Sequence, residues 1–205
     1  MGAGLSFKCI LKMKKIFLVI IFLLPFYCFS QSDFSDEIVF TSLESARRQP
    51  ENVKVLKLKR KKLKEFPVEI LSFTNLRSLD LSSNKIRRIP DGIDRLTQLE
   101  VLNLGNNRIE VLPASIGNLK NLTELNLNRN DLITLPSSVG RLMHLKKLIL
   151  WSTNIDTFPE EIAALDGSLE LLDMRSIRMN TEKQQIIRSL LPNTAKRFDH
   201  PCNCY

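Results

Sequence analysis

Histidine and cysteine are scarce in this 205-residue chain. There are two histidines, His144 and His200, and no cysteine lies between residues 29 and 201. A four-ligand zinc site or a Cys/His nucleophile pair therefore has almost nothing to be built from. No phosphate-cradling glycine loop and no kinase signature occurs either. These gaps speak against an enzyme, and no metal or cofactor is expected. Acidic residues are missing from the first thirty positions, which carry Lys8, Lys12, Lys14 and Lys15. Without those four lysines the formal charge of +8 becomes +4, a mild excess that does not demand nucleic acid.

Apolar runs long enough to cross a bilayer are missing too. The longest, residues 16–29, falls short of the roughly 20 residues a spanning helix needs. Preceded by Lys12, Lys14 and Lys15, it fits a secretory signal over residues 1–30. Cys28 and Ser30 would stand at −3 and −1, Gln31 would become the new N-terminus, and Met13 is an alternative start. Two rival readings are a lipid anchor on Cys28 and a myristoylation pattern over residues 1–6. The bulky Pro25, Phe26 and Tyr27 argue against the first, and the adjoining signal-like segment argues against the second. The expectation is export, to a periplasmic, cell-surface or secreted location.

What the chain has in abundance is leucine at fixed intervals. Leu76, Leu99 and Leu122 each open a unit of 23 residues, and the same offsets recur in all three. The first unit holds Leu76, Leu79, Leu81, Asn84, Ile86, Ile89, Pro90, Ile93 and Leu96. The second holds Leu99, Leu102, Leu104, Asn107, Ile109, Leu112, Pro113, Ile116 and Leu119. The third holds Leu122, Leu125, Leu127, Asn130, Leu132, Leu135, Pro136, Val139 and Leu142. Looser copies begin at Val53, Leu145 and Leu169. A fixed period of this size marks a solenoid, in which only neighbouring turns can cover the apolar side of each turn.

Written as LxxLxLxxNxLxxLPxxIxxLxx, the pattern resembles the leucine-rich repeat family, in its 23-residue form. The resemblance implies an α/β solenoid, a horseshoe with short parallel strands on the concave face, irregular or 3-10 turns on the convex side, and a cap at each end. It also implies a recognition module, similar to small secreted bacterial members of the family. The expected organisation is an N-terminal cap over 31–52, about six repeats over 53–179, and a closing helix with a cysteine-containing tail over 180–205. Thr41 to Glu44 and Thr181 to Gln184 have capping-box spacing, and Ile186, Ile187, Leu190 and Leu191 are expected to share one buried helical face. Thr153 and Ile177 replace the recurring asparagine, so its hydrogen-bond ladder should weaken toward the exit. Cys202 and Cys204 are a candidate disulfide, though a loop this tight is usually strained. Asn121, Leu122 and Thr123 form a glycosylation sequon that matters only in a eukaryotic secretory route.

Leucines at pattern positions four and six point into the core, because alternate residues on a strand face the same way. Positions three, five and seven then face outward on the concave side. Two patches follow from them and their neighbours. Arg129, Lys147, Ile149, Trp151, Leu171 and Arg175 gather apolar side chains and the single tryptophan among cations, the make-up of a protein-binding hot spot. Packing of Trp151 against the closing cap is the competing reading. Lys54, Lys57, Lys59, Arg60, Lys62, Lys85 and Arg88, with Lys61, Lys64, Arg87 and Arg108 around them, form a basic stripe that suits an acidic protein, an anionic glycan or a lipid head group. The competing reading is simple solvation. Nucleic acid is not expected, because no aromatics interleave with these cations.

Overall fold

The computed structural model describes residues 38–198. The signal-like segment, with Cys28, and the Cys202–Cys204 pair lie outside the described residues. So do the first seven residues of the N-terminal cap.

Eight short strands form one parallel sheet whose spatial order is the chain order: β1 Val39–Phe40, β2 Val55–Lys57, β3 Ser78–Asp80, β4 Val101–Asn103, β5 Glu124–Asn126, β6 Lys147–Ile149, β7 Leu171–Asp173 and β8 Ala195–Arg197. The register places Leu56, Leu79, Leu102, Leu125, Leu148 and Leu172 side by side, all fully buried. Consecutive partners are 23 residues apart until β7, where the step is one longer. The extra residue falls beside Gly167, which stands in open space, so the insertion bulges outward and the register is kept.

The opposite side of each turn is a 3-10 segment: Val68–Ser72, Asp91–Arg95, Ala114–Asn118, Ser137–Arg141 and Glu160–Leu165. Each follows a proline, Pro67, Pro90, Pro113, Pro136 or Pro159, with φ between −71° and −66°. The ring already holds that angle and has no N–H to leave unpaired. Ile70, Ile93, Ile116, Val139 and Ile162 drop from these segments into the core. Gly117 and Gly140 let neighbouring segments touch backbone to backbone. A Cβ on Gly117 would lie 2.1 Å from the Ser138 carbonyl oxygen, and one on Gly140 would lie 2.2 Å from that of Glu161.

Between strand and outer arc the buried asparagines join consecutive turns. Asn107 donates from Nδ2 to the carbonyl of Leu104 in its own turn (2.9 Å) and to that of Leu81 in the turn before (3.1 Å), while its Oδ1 accepts from Ile86 N–H (3.1 Å). Asn84 and Asn130 repeat the arrangement one turn earlier and later. Thr153 donates to Leu150 in its own turn (2.8 Å), and its short side chain makes none of the described hydrogen bonds to the preceding turn. The residue just before each of these positions is left-handed: Ser83, Asn106, Arg129 and Ser152 have φ between 51° and 60°, as do the equivalent Arg60 and Ser176. None of them is glycine.

The caps differ in detail from the sequence reading. The first helix, Leu43–Arg47, is capped by Ser42, whose hydroxyl accepts from Ser45 N–H at 3.1 Å; Thr41 is not the cap. The closing helix, Thr181–Leu190, is capped by Asn180, which accepts from Lys183 N–H at 2.9 Å, so the capping box expected at Thr181 is displaced by one residue. Its inner face is Gln184 and Ile187, followed by Leu191, while Ile186 points out and is 52% exposed. One residue of a helix is a 100° rotation, so Ile186 and Ile187 cannot both face inward. After this helix β8 adds a strand that the spacing does not announce. Asp166 ties it down, accepting from Asn193 N–H (2.8 Å), the Asn193 side-chain amide (2.7 Å) and the Thr194 hydroxyl (3.3 Å).

Candidate functional site

The concave row is built on repeated turns of the chain after each strand. At position five, Asp80 accepts from Ser82 N–H (2.8 Å), Asn103 from Gly105 N–H (3.1 Å), and Asn126 from Asn128 N–H (3.1 Å). Each carboxyl or amide oxygen thus closes a turn on its own backbone two residues on. Ile149 holds this position in the fifth turn and cannot do so. It is a half-buried apolar side chain in a polar row, with the half-buried Leu171 on the neighbouring strand.

Trp151 lies two residues after Ile149, also half-buried. The Arg129 guanidinium stacks over its ring at 4.8 Å from the centroid, and the Arg129 N–H donates to the Trp151 carbonyl at 3.0 Å. The left-handed backbone of Arg129, φ 51°, is part of what turns this side chain toward the next coil. The other two cations of the patch already hold anions. Lys147 lies 3.7 Å from Glu124, its directly paired neighbour across β5 and β6. Arg175 grips Asp173 with two bonds, 2.9 and 2.7 Å. Burial pushes the Asp173 carboxyl up, but the hydrogen bonds and charge of Arg175, with Arg197 nearby, outweigh it and hold its pKa below the usual carboxylate value. All six predicted residues therefore sit on β5–β7 and the turns that follow them. Glu124 and Asp173 belong to the same patch. Opposite charges in one column of adjacent strands are the sequence signal that would have found Glu124.

Not every position that faces the concave side is open. Val55, Ser82, Gly105 and Asp173 are buried. A Cβ on Gly105 would lie 2.0 Å from the Asn128 side-chain oxygen, so a side chain there requires Asn128 to turn aside.

The basic residues run from the strand side of the turn to its flank. Lys57 is in β2 and Lys59 follows it on the strand side, with Lys54 just before the strand and Arg60 and Lys62 in left-handed backbone beyond it. Lys85, which holds the repeat position of Lys62 one turn later, and Arg88 lie on the flank between strand and 3-10 segment. There they line an open hollow of about 710 Å³ together with Lys64, Arg87, Arg108, Glu65, Phe66 and Pro90. The flank is held by Lys85 N–H donating to Leu63 (2.7 Å), Arg108 N–H donating to Ile86 (2.9 Å), and a parallel bridge between Arg88 and Val111.

Among the described residues no group of three or more His, Cys, Asp or Glu could hold a metal ion, and no helix is long and apolar enough to cross a membrane.

Comparison with known proteins gives the same architecture. No curated protein sequence matches the chain. Among solved structures, a Leptospira interrogans leucine-rich-repeat protein is 27% identical with a TM-score of 0.54, over 78% of this chain and 54% of that one. The plant peptide hormone receptor RGFR1, in complex with RGF2, is 27% identical with a TM-score of 0.62, over 73% of this chain and 25% of that one. A Listeria monocytogenes internalin is 21% identical with a TM-score of 0.57, over 78% of this chain and 53% of that one, a likeness of fold. The chain thus spans about half, or less, of the length of the solved chains it matches. A family model for the leucine rich repeat matches residues 51–109, 74–132 and 97–155. Those overlapping windows cover half of the sequence, and the chain belongs to the leucine-rich repeat family, whose fold is typically that of a protein-interaction module.

Proposed function

We propose that this protein is a non-enzymatic recognition module that binds a protein or peptide partner through its concave face, centred on Trp151. The observation that carries this reading is the Trp151–Arg129 stack beside Ile149 and Leu171 on a row otherwise closed by polar turns. An aromatic ring with a guanidinium already laid over it loses little freedom when a partner covers both. Lys147–Glu124 and Arg175–Asp173 rim the patch with both signs of charge. That arrangement suits a polar partner surface and selects its orientation more than it adds affinity.

Partners are to be sought in culture medium and envelope fractions, in keeping with an exported protein. A native N-terminus at Gln31, read by mass spectrometry, supports export; a peptide that begins before residue 28 overturns export with cleavage. Trp151→Ala should weaken binding of the captured partner by about 30-fold or more, the loss typical of an interface anchor. The same change should lower stability by about 1–2 kcal/mol, the worth of a cation–π contact over a half-buried ring. A large stability loss, or unchanged binding, refutes the assignment.

A second reading, attachment to an anionic glycan or lipid surface, is favoured by the flank hollow that Lys85 and Arg88 share with three further cations.

A further inference from the structure

We infer that the flank hollow is a binding site for an anionic polysaccharide segment, separate from the concave face and formed by Lys64, Lys85, Arg87, Arg88 and Arg108. The inference rests on the second reading above and narrows it to one set of residues and one ligand chemistry.

Three observations carry it. The first is pairing. Seven cations elsewhere lie within ion-pair distance of a carboxylate: Arg47, Arg48, Arg77, Lys146, Lys147, Arg175 and Lys183. Among the described residues, none of the five cations of the hollow has such a partner, although Glu65 shares the hollow with them. Five like charges converge from three consecutive turns with one carboxylate among them, an arrangement that costs free energy until an anion arrives.

The second is periodicity. Lys62, Lys85 and Arg108 occupy one repeat position in successive turns, and Lys64 and Arg87 occupy another. Near the strands, successive turns are about 4.8 Å apart, so the cations form a ladder that matches a ligand with regularly spaced anions. Glu110 in the third turn ends the second column, and Asp131 in the fourth ends the first. Glu110 and Asp91 line the adjoining hollow of about 380 Å³, which shares Arg87 and Arg88 with the first. The cationic run is therefore bounded at one end.

The third is shape and lining. A volume of about 710 Å³ is in the range of sites that seat a small ligand, and a concave hollow suits a chain segment better than a flat bilayer surface. Its apolar members are Phe66, which is buried, and Pro90. An acidic peptide would find no exposed aromatic or deep apolar pocket for its side chains, whereas sugar hydroxyls and carboxylate or sulfate groups need only N–H donors. Arg87, Arg88 and Arg108 supply these in the planar fork that matches such anions.

The test titrates the full chain with size-defined heparin fragments, polygalacturonate, poly-L-glutamate and phosphatidylglycerol vesicles. It is repeated with the variant Arg87→Ser/Arg88→Ser and with the control Lys57→Ser/Lys59→Ser, each of which lowers the charge equally. All four side chains are exposed, and circular dichroism verifies the fold of both variants. Support is saturable binding of a soluble polysaccharide that weakens with salt and falls about tenfold per cation removed from the hollow, with the control within about threefold of wild type. Loss in the control with the hollow variant intact overturns the hollow while leaving a basic-stripe reading standing. Equal or tighter binding of poly-L-glutamate, or of vesicles without soluble polysaccharide, overturns the ligand assignment. Binding of none of the four probes overturns this inference and the second reading together, leaving the concave-face proposal untouched.

Discussion

Replacing Asn107 with alanine tests whether the asparagine ladder is what joins one turn to the next. The side chain serves four groups: its amide donates to the Leu104 and Leu81 carbonyls and, at 3.5 Å, to that of Gly105, and its oxygen accepts from Ile86 N–H. The carbonyls are not orphaned by its removal, since Leu81 still accepts from Asn84 and Leu104 still accepts from Asn130. Ile86 N–H is different. Ile86 is fully buried, and its amide loses the acceptor it has in this structure. A buried donor left unsatisfied costs about 1–3 kcal/mol, and each net hydrogen bond lost adds about 0.5–1.5 kcal/mol. The expected destabilisation is therefore about 2–4 kcal/mol, read from urea unfolding followed by circular dichroism with the m-value unchanged. Thr153→Ala is the internal comparison, because Thr153 donates to a single carbonyl in its own turn. That change should cost about 1 kcal/mol. If Asn107→Ala costs no more than Thr153→Ala, the ladder is not the joint and the reasoning fails.

Gly140→Ala should lose about 1–3 kcal/mol in the same assay, because a Cβ 2.2 Å from the Glu161 carbonyl forces two 3-10 segments apart; Gly167→Ala, with open space around it, should be neutral, and equal effects would contradict the packing argument. Asn106→Val should cost about 1–2 kcal/mol, since a side chain branched at Cβ is strained at φ 57°, whereas Asn106→Gly should be close to neutral. Asp173 titrates below the ordinary carboxylate value in the folded protein, so its contribution is complete above about pH 4 and is lost as pH falls through the lowered folded value. Stability of Asp173→Asn should accordingly vary less with pH below about 4 than that of the parent, and identical acid profiles would show that the Arg175 pair contributes nothing.

The solenoid was legible because its cause is written into single positions. A leucine that must face the core of a narrow turn has no substitute of different chemistry, so Leu79, Leu102 and Leu125 recur and the register follows. The left-handed position carries no such mark. Arg60, Ser83, Asn106, Arg129, Ser152 and Ser176 fill it with three residue types, because the demand falls on the backbone and each side chain leaves into solvent or across to a neighbour. The helix caps were misplaced by one residue where two capping residues stand side by side, Thr41 with Ser42 and Asn180 with Thr181, and spacing alone does not choose between them. Strand β8 is short and polar, held by backbone pairing with β7 and by Asp166, not by apolar periodicity. The concave patch could be assembled from the repeat columns. All five cations of the flank hollow belong to the basic stripe read from the sequence; what the repeat columns do not show is that these five, without Lys54, Lys57, Lys59, Arg60 and Lys62, line one hollow.

The missing amide at Thr153 has a mechanical consequence. Asn84, Asn107 and Asn130 rivet the first four coils together, and the next boundary is crossed by no such rivet. That boundary is held on its inner side by the β5–β6 backbone pairing, reinforced by the Arg129–Trp151 stack and the Lys147–Glu124 pair. A guest lying over Trp151 would therefore add a clamp at a boundary that lacks the amide one, and the stack should resist pulling better when occupied than when empty.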